Sequence, residues 1–419
     1  MISSRSIHLL WIFVTRFLTA SMILRVRVRG NFWYIFRMRL LYVADGRSPI
    51  ARNWMQYFID RGDEVYLAST FACPEDLAVR GLEITPVAFS GTKKSNQSAA
   101  RSSTRTLGVQ TLIRHLLGPL TIPRASQRLR SYIERVKPDL VHAMRIPYEG
   151  MLAADAYTGI PLLISAWGND FTFHATSSSI MRHYTHWTMK VADAYHADCQ
   201  RDIRLGKYWG FNPSRPTLVT PGNGGIRTEW FHPPATPVAA PVILNPRGFR
   251  SYVRNDVFFQ AIPRVLEKRP DAKFVCAAMA ETHEALQWIE RLEIGPAVEL
   301  LPPLPYPAMA DVFRRAQVVV SPSIHDGTPN SLLEGMACGC FPVAGNLESI
   351  REWITSGRNG LLVEIRSPQI LANALLESLE KKDLREHAAG FNEKLIASRA
   401  EYSNSMQQAE RFYRNLIAG

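Results

Sequence analysis

Residues 323–345 read SIHDGTPNSLLEGMACGCFPVAG and follow an apolar run, QVVVSPS (317–323). That run has the length and β-branched content of a buried strand, which makes IHDG the loop at its carboxyl end. The sequence predicts a helix next, with Thr328 as its cap and Pro329 at the first helical position, where no N–H is needed. Asn330 and Ser331 then offer free N–H groups at the helix start, an arrangement suited to phosphate. Leu332, Leu333, Met336 and Ala337 give the helix a buried face, and Glu334 sits among them. A carboxylate there is costly unless something hydrogen-bonds it, and the vicinal hydroxyls of a ribose would do so. Asp326, eight positions earlier, lies further out, over whatever follows the phosphates. Gly339 ends the helix before the next strand, FPVAG.

On both sides the same alternation recurs. RLLYVAD (39–45), a helical IARNWMQYFIDRG and DEVYLAST (63–70) form a βαβ unit, which favours a parallel sheet. DLVHAM (139–144), PLLISAWG (161–168), VADAYHAD (191–198) and PTLVTPG (216–222) continue it. PGNGGIRTEWFHPPATPVAAP (221–241) has many Pro and Gly and no period, as a linker does. A second α/β set begins at PVILNPRG (241–248). The expected division is a first domain over 38–222, a linker over 223–240, a second domain over 241–398, and a C-terminal helix over 399–419 that packs back on the first domain. Ligands of such parallel sheets bind at the strand carboxyl ends. The first loop, with Gly46 and Ser48-Pro49, lacks G-x-G-x-x-G, so a dinucleotide fingerprint is absent.

With 419 residues, two domains are the default. The net charge of +12 is concentrated in two places. Residues 1–37 carry six Arg and no acid, and residues 91–135 carry nine Lys or Arg against Glu134, so the rest of the chain is slightly acidic. A nucleic-acid binder carries its basic surface on the folded body, so no nucleic acid is expected. An anionic membrane surface meeting 91–135, or an anionic substrate, fits better. The five cysteines form no C-x-x-C pair and read as reduced thiols of a cytoplasmic protein. No D-x-D at a strand end and no Cys/His cluster calls for a metal. Residues 7–24 are apolar but interrupted by Arg16, marginal for a membrane span. Residues 1–37 read as an extension outside the fold or lying on a membrane interface.

The stretch DGTPNSLLEGMACGCFPVA, followed by ESIREWI (348–354) and SGRNGLLVE (356–364), resembles the donor-binding segment of glycosyltransferase family 4, the glycosyl transferases group 1 type. The resemblance spans about 39–400. It implies a GT-B fold, two facing Rossmann-like α/β domains with a cleft between them. It also implies retaining transfer of a sugar from a nucleotide-diphosphate sugar to a hydroxyl acceptor, with no cofactor and no metal.

By resemblance, Glu334 holds the ribose hydroxyls and Asp326 contacts the transferred sugar. Backbone over Gly327, Thr328, Pro329, Asn330 and Ser331 takes the distal phosphate. In NPRGFRSYVRND (245–256), Arg247 matches the family's Arg, and Arg250 or Arg254 takes the place of its Lys. SAWGNDF (165–171) resembles an acceptor-side loop with Gly168 and Asp170, Trp167 standing where many members have His. VHAMRIPYEG (141–150) supplies Arg145 and Glu149, and Gly46 joins them on the acceptor side. Asp326, Arg247 and Asp170 are the expected catalytic residues. The acceptor implied is a glycan or lipid-linked one, in cell-surface polysaccharide or glycolipid assembly at the inner membrane face. The competing readings are a nucleotide-sugar epimerase of the same fold and a catalytically silent partner subunit.

Overall fold

The computed structural model describes residues 23–28, 31–90, 114–250 and 252–419. Of the expected extension 1–37 and the basic segment 91–135, residues 1–22, 29–30 and 91–113 lie outside that set. Strands β1 (Ile23–Val28) and β2 (Asn31–Phe36) pair with each other as an antiparallel hairpin and join neither main sheet.

The first sheet holds seven parallel strands, β3 (Arg39–Ala44), β4 (Glu64–Ser69), β5 (Gly81–Ile84), β6 (Leu140–Ala143), β7 (Leu162–Ala166), β8 (Ala194–Ala197) and β9 (Thr217–Val219), in the order β5-β4-β3-β6-β7-β8-β9. The second holds β10 (Val242–Asn245), β11 (Lys273–Cys276), β12 (Val298–Leu300), β13 (Val318–Ser321), β14 (Phe341–Gly345) and β15 (Leu361–Val363), in the order β12-β11-β10-β13-β14-β15. Strand order reverses between β3 and β6 in one sheet and between β10 and β13 in the other. In open α/β sheets, that reversal leaves a crevice beyond the strand ends where ligands bind.

The helices are α1 (Pro49–Asp60), α2 (Ile122–Val136), α3 (Met151–Asp155), α4 (Ser179–Val191), α5 (Gln200–Tyr208), α6 (Asn255–Leu266), α7 (His283–Leu292), α8 (Tyr306–Arg314), α9 (Asn330–Ala337), α10 (Pro368–Glu380), α11 (Lys382–Arg399) and α12 (Tyr402–Ala418). Helix α1 shows why these segments are helical. The Ser48 side chain accepts from Ala51 N–H, Pro49 follows at the first position, and Ala51, Trp54, Met55 and Phe58 bury one face. The edge strand β5, Gly-Leu-Glu-Ile, carries no clear strand pattern in the sequence, and all four residues are half-buried.

Apolar clusters cover both faces of each sheet. The cluster behind the first sheet is completed by α12, whose Tyr402, Met406, Ala409 and Tyr413 pack with Tyr42, Trp54 and Phe58. A buried polar row crosses beneath that sheet. Trp54 Nε1 donates to the Tyr413 hydroxyl at 2.8 Å, which also meets His142 Nδ1, and His142 Nε2 lies 2.7 Å from Ser165 Oγ. Ser165 in turn reaches His196 Nδ1 at 2.8 Å, and His196 Nε2 reaches the Thr220 carbonyl at 3.0 Å. Burial pushes both histidines down, His196 to about 4, so the row is held by neutral imidazoles. Among the described residues no helix is long and apolar enough to cross a membrane.

Candidate active site

Arg247 follows β10 and Asp326 follows β13, so the two flank the reversal point of the second sheet. The Arg247 N–H donates to Asn245 Oδ1 at 3.0 Å, which fixes where its side chain leaves the strand. Its Nη2 lies 3.0 Å from Asp326 Oδ2, an ion pair by distance without hydrogen-bond alignment. Glu334 of α9 is 7% exposed, and burial pushes its carboxyl up to about 7. The Tyr306 hydroxyl and the Arg247 guanidinium act against that rise. Tyr306 comes from α8, and no position near the motif announced it.

Helix α9 starts without a side-chain cap. Pro329, in extended conformation, is the residue that precedes the helix, which begins at Asn330. This corrects the expectation of Thr328 as cap. The Thr328 hydroxyl donates instead to the Asp198 carbonyl of the other domain and accepts from Trp353 Nε1 at 3.0 Å, so it serves the contact between domains. Around the open helix start, Ser323 Oγ, Asn330 Oδ1 and Ser331 Oγ are buried without a hydrogen-bond partner. Unpaired buried polar atoms each cost roughly 1–3 kcal/mol; the two serine hydroxyls are free to donate to an oxyanion, whereas Asn330 Oδ1 accepts and suits a donor group of a ligand.

The two candidates for the second cation are placed differently. The Arg254 guanidinium turns to Asp256, with Nε and Nη2 at 2.8 and 2.7 Å from its carboxylate. Arg250 is exposed. Tyr252 supplies the other neighbour, its ring centroid 5.9 Å from the Arg247 guanidinium carbon.

Asp170 lies between two loops of the first domain. It is 1% exposed and accepts from Arg145 Nε at 2.9 Å, Trp167 N at 3.0 Å and Ile146 N at 3.2 Å. Its oxygens tie the loop after β6 to the loop after β7. Gly46 donates its N–H to Ser69 Oγ at 3.0 Å, and an added Cβ would lie 2.5 Å from Cys73 Sγ, so that turn has no room for a side chain. Glu149 accepts from Thr70 Oγ1 at 2.8 Å and lines a first-domain cavity together with Arg145.

The two domains close on each other around Gly168 and Gly327. A Cβ on Gly168 would lie 1.6 Å from Gly327 N, and one on Gly327 would lie 2.3 Å from Asp198 Oδ1. Arg201 of α5, 7% exposed, holds this contact. Its Nη1 donates to the Asp326 carbonyl at 2.7 Å and to Ser349 Oγ at 3.1 Å, and its Nη2 donates to the Gly168 carbonyl at 2.8 Å. The Glu352 carboxylate of the second domain takes the Gln200 and Arg201 N–H groups at the start of α5 at 2.9 and 3.0 Å. Asp198 faces this contact, and burial, with Asp202 beside it, raises its carboxyl well above the usual range. Sequence reasoning passed over Asp198, Arg201 and Glu352. The available signal was a cation between two acids, DCQRD (198–202), directly after a strand.

Residues 241–381 match the family described as Glycosyl transferases group 1, and residues 39–198 match the one described as Glycosyl transferase 4-like. This chain belongs to the group 1, family 4 glycosyltransferases. Curated relatives of this glycosyltransferase include the D-inositol 3-phosphate glycosyltransferases of Thermobispora bispora and Kribbella flavida. The first is 27% identical over 53% of this chain and 58% of its own length, the second 30% identical over 50% and 55%. The chain spans about half the length of the curated relatives it matches. Among solved structures, sucrose-phosphate synthase from Thermosynechococcus elongatus superposes with a TM-score of 0.72 at 15% identity, over 91% of this chain and all of that one. Anabaena HepE in complex with UDP-glucose gives 0.68 at 15%, over 90% and 100%. The architecture of this glycosyltransferase is therefore GT-B.

Proposed function

We propose that the protein transfers a sugar from a nucleotide-diphosphate sugar to a hydroxyl acceptor with retention of configuration. The observation that supports this most is the meeting of Arg247, Asp326 and Glu334 beside the open start of α9. In this reading the Glu334 carboxylate accepts the two ribose hydroxyls, and the α9 N–H groups take the distal phosphate. Asp326 orients the sugar. Arg247 counters the charge that develops on the departing diphosphate, so the protein itself supplies the electrostatics without a metal. Closure through Gly168 and Gly327 excludes water. The solved HepE complex carries UDP-glucose, which supports a nucleotide-sugar donor here.

A thermal-shift screen of UDP-, GDP- and ADP-sugars tests this. One nucleotide class is expected to raise the melting temperature, since a ligand at a hundred times its Kd adds about 2.7 kcal/mol. The Glu334→Gln variant should lose at least roughly tenfold in affinity, about 1.4 kcal/mol. Two hydroxyls donate to an ionised carboxylate, so affinity should rise as pH passes upward through about 7 and stay flat in Glu334→Gln. A nucleotide sugar has no terminal phosphate proton near neutrality, which leaves Glu334 as the titrating partner. No shift with any nucleotide sugar, or identical binding by Glu334→Gln, would remove the reading.

The acceptor in this proposal is presented at an anionic membrane, in assembly of a cell-surface glycan or glycolipid. The support is a surface in which Leu116, Leu117 and Leu120 are 49%, 49% and 64% exposed and the exposed Arg124 and Arg128 follow on α2. Vesicles of phosphatidylcholine with phosphatidylglycerol should carry the protein upward in flotation. Leu117→Ser with Leu120→Ser should release it, and equal flotation of both proteins would refute the contact.

A further inference from the structure

The cavity of the first domain lies beyond the ends of β3 and β6, encloses about 300 Å³, and has Arg47, Arg114 and Arg145 in its wall. Two of these cations already have acid partners. Arg47 Nη2 lies 2.9 Å from Asp45 Oδ2, and Arg145 Nε lies 2.9 Å from Asp170 Oδ1.

Arg114 differs. Among the described residues no acid pairs with its guanidinium, and its Nε is buried without a hydrogen-bond partner. The group lies over two rings, its central carbon 5.5 Å from the Phe71 centroid and 5.0 Å from that of Tyr148. Arg47 covers Phe71 as well, at 3.7 Å, so one ring brings two guanidinium groups to the same cavity. The Tyr148 ring is itself pinned, because its hydroxyl donates to the Arg114 carbonyl at 2.6 Å. Tyr148 also holds a φ of 69°, a conformation that a bulky side chain adopts only when its surroundings enforce it.

The wall also holds two carboxyl groups, Asp45, which pairs with Arg47, and Glu149. Burial raises the Glu149 carboxyl, which accepts from Thr70. His115 and His174 contact each other at 2.9 Å, and burial with the neighbouring arginines keeps both neutral. A preorganised guanidinium with an unused donor, next to a second one, matches the geometry of an oxyanion.

We propose that this cavity binds an acceptor carrying an oxyanion, a phosphoryl or carboxylate group, beside the hydroxyl that receives the sugar, with Arg114 as its principal contact and Arg47 as the second. The proposal rests on the reading of the first domain as the acceptor side.

Calorimetric titration with inorganic phosphate tests it. The titration uses the full chain carrying Arg247→Gln, so that the donor-side cation does not contribute. A phosphate site that adding Arg114→Gln weakens at least tenfold is expected beside any binding at the start of α9, which that change leaves untouched; Arg114→Lys keeps the charge but not the planar fork, so it should fall between and controls for folding. A parallel titration with dihexanoyl phosphatidic acid, a monomeric lipid, separates the sources. Tighter binding than inorganic phosphate assigns a lipid headgroup, and equal binding assigns a soluble phosphate compound. Absence of a phosphate site, or equal affinity with and without Arg114→Gln, overturns the proposal. Nucleotide-sugar binding by the unsubstituted protein reports separately on the donor reading, so the two can fail independently.

Discussion

Arg247→Ala is expected to lower the transfer rate at saturating donor by roughly 10²–10⁴-fold, the range found when a preorganised charge contact to a transition state is removed. Arg247 is mostly buried, and its nearest anion is Asp326. In the resting protein it therefore neutralises an acid, and in the reaction it would meet the leaving diphosphate. Truncation withdraws both, so some stability should be lost as well, up to about 3 kcal/mol for a largely buried acid left unpaired. The double variant Arg247→Ala with Asp326→Asn separates the two effects. It should recover melting temperature without recovering turnover. Arg247→Lys keeps the charge but not the planar fork and should fall between. A single variant within tenfold of the unsubstituted rate would show that the leaving group is stabilised elsewhere.

Gly168→Ala should be nearly as damaging, although the residue carries no chemistry. A methyl group there would occupy the position of Gly327 N, 1.6 Å away, and both partners are backbone. The clash cannot be relieved by a rotamer change, so the domains must stay apart. The expected outcome is a loss of at least roughly 100-fold in kcat with nucleotide affinity changed less than threefold, because donor contacts lie within the second domain. Small-angle scattering should show a more open particle. Normal turnover in Gly168→Ala would mean that the reaction does not pass through this closed arrangement. Wider opening combined with lost nucleotide binding would contradict the placement of the donor contacts.

The second sheet and its helix were readable because strand, loop and helix lie within one contiguous stretch, and their chemistry depends on local rules. The apolar run, the Asp-Gly turn and the acid on an otherwise buried helix face all fall between 317 and 345. Thr328 was misread for a physical reason, since its hydroxyl has a partner 130 positions away that outcompetes the local cap. The bonding of Asp170 was not legible either. Three N–H donors from two loops converge on it, and only tertiary structure brings them together. Arg201 remained hidden because its value lies in the carbonyls of Gly168 and Asp326, which carry no residue signature. Arg254 matches by position, and its pairing with Asp256 two residues on was not read from the sequence. β5 escaped notice because an edge strand of four half-buried residues leaves no alternation to detect.

The Tyr413 contacts bear on how the polypeptide is made. Trp54 donates to a hydroxyl that leaves the ribosome 359 residues later. Until then the inner surface formed by Tyr42, Trp54 and Phe58 has no cover, and the neutral His142 lacks its Tyr413 partner. The amino-terminal domain, though synthesised first, therefore closes its core only after α12 has been made, and until then that apolar surface is open to aggregation.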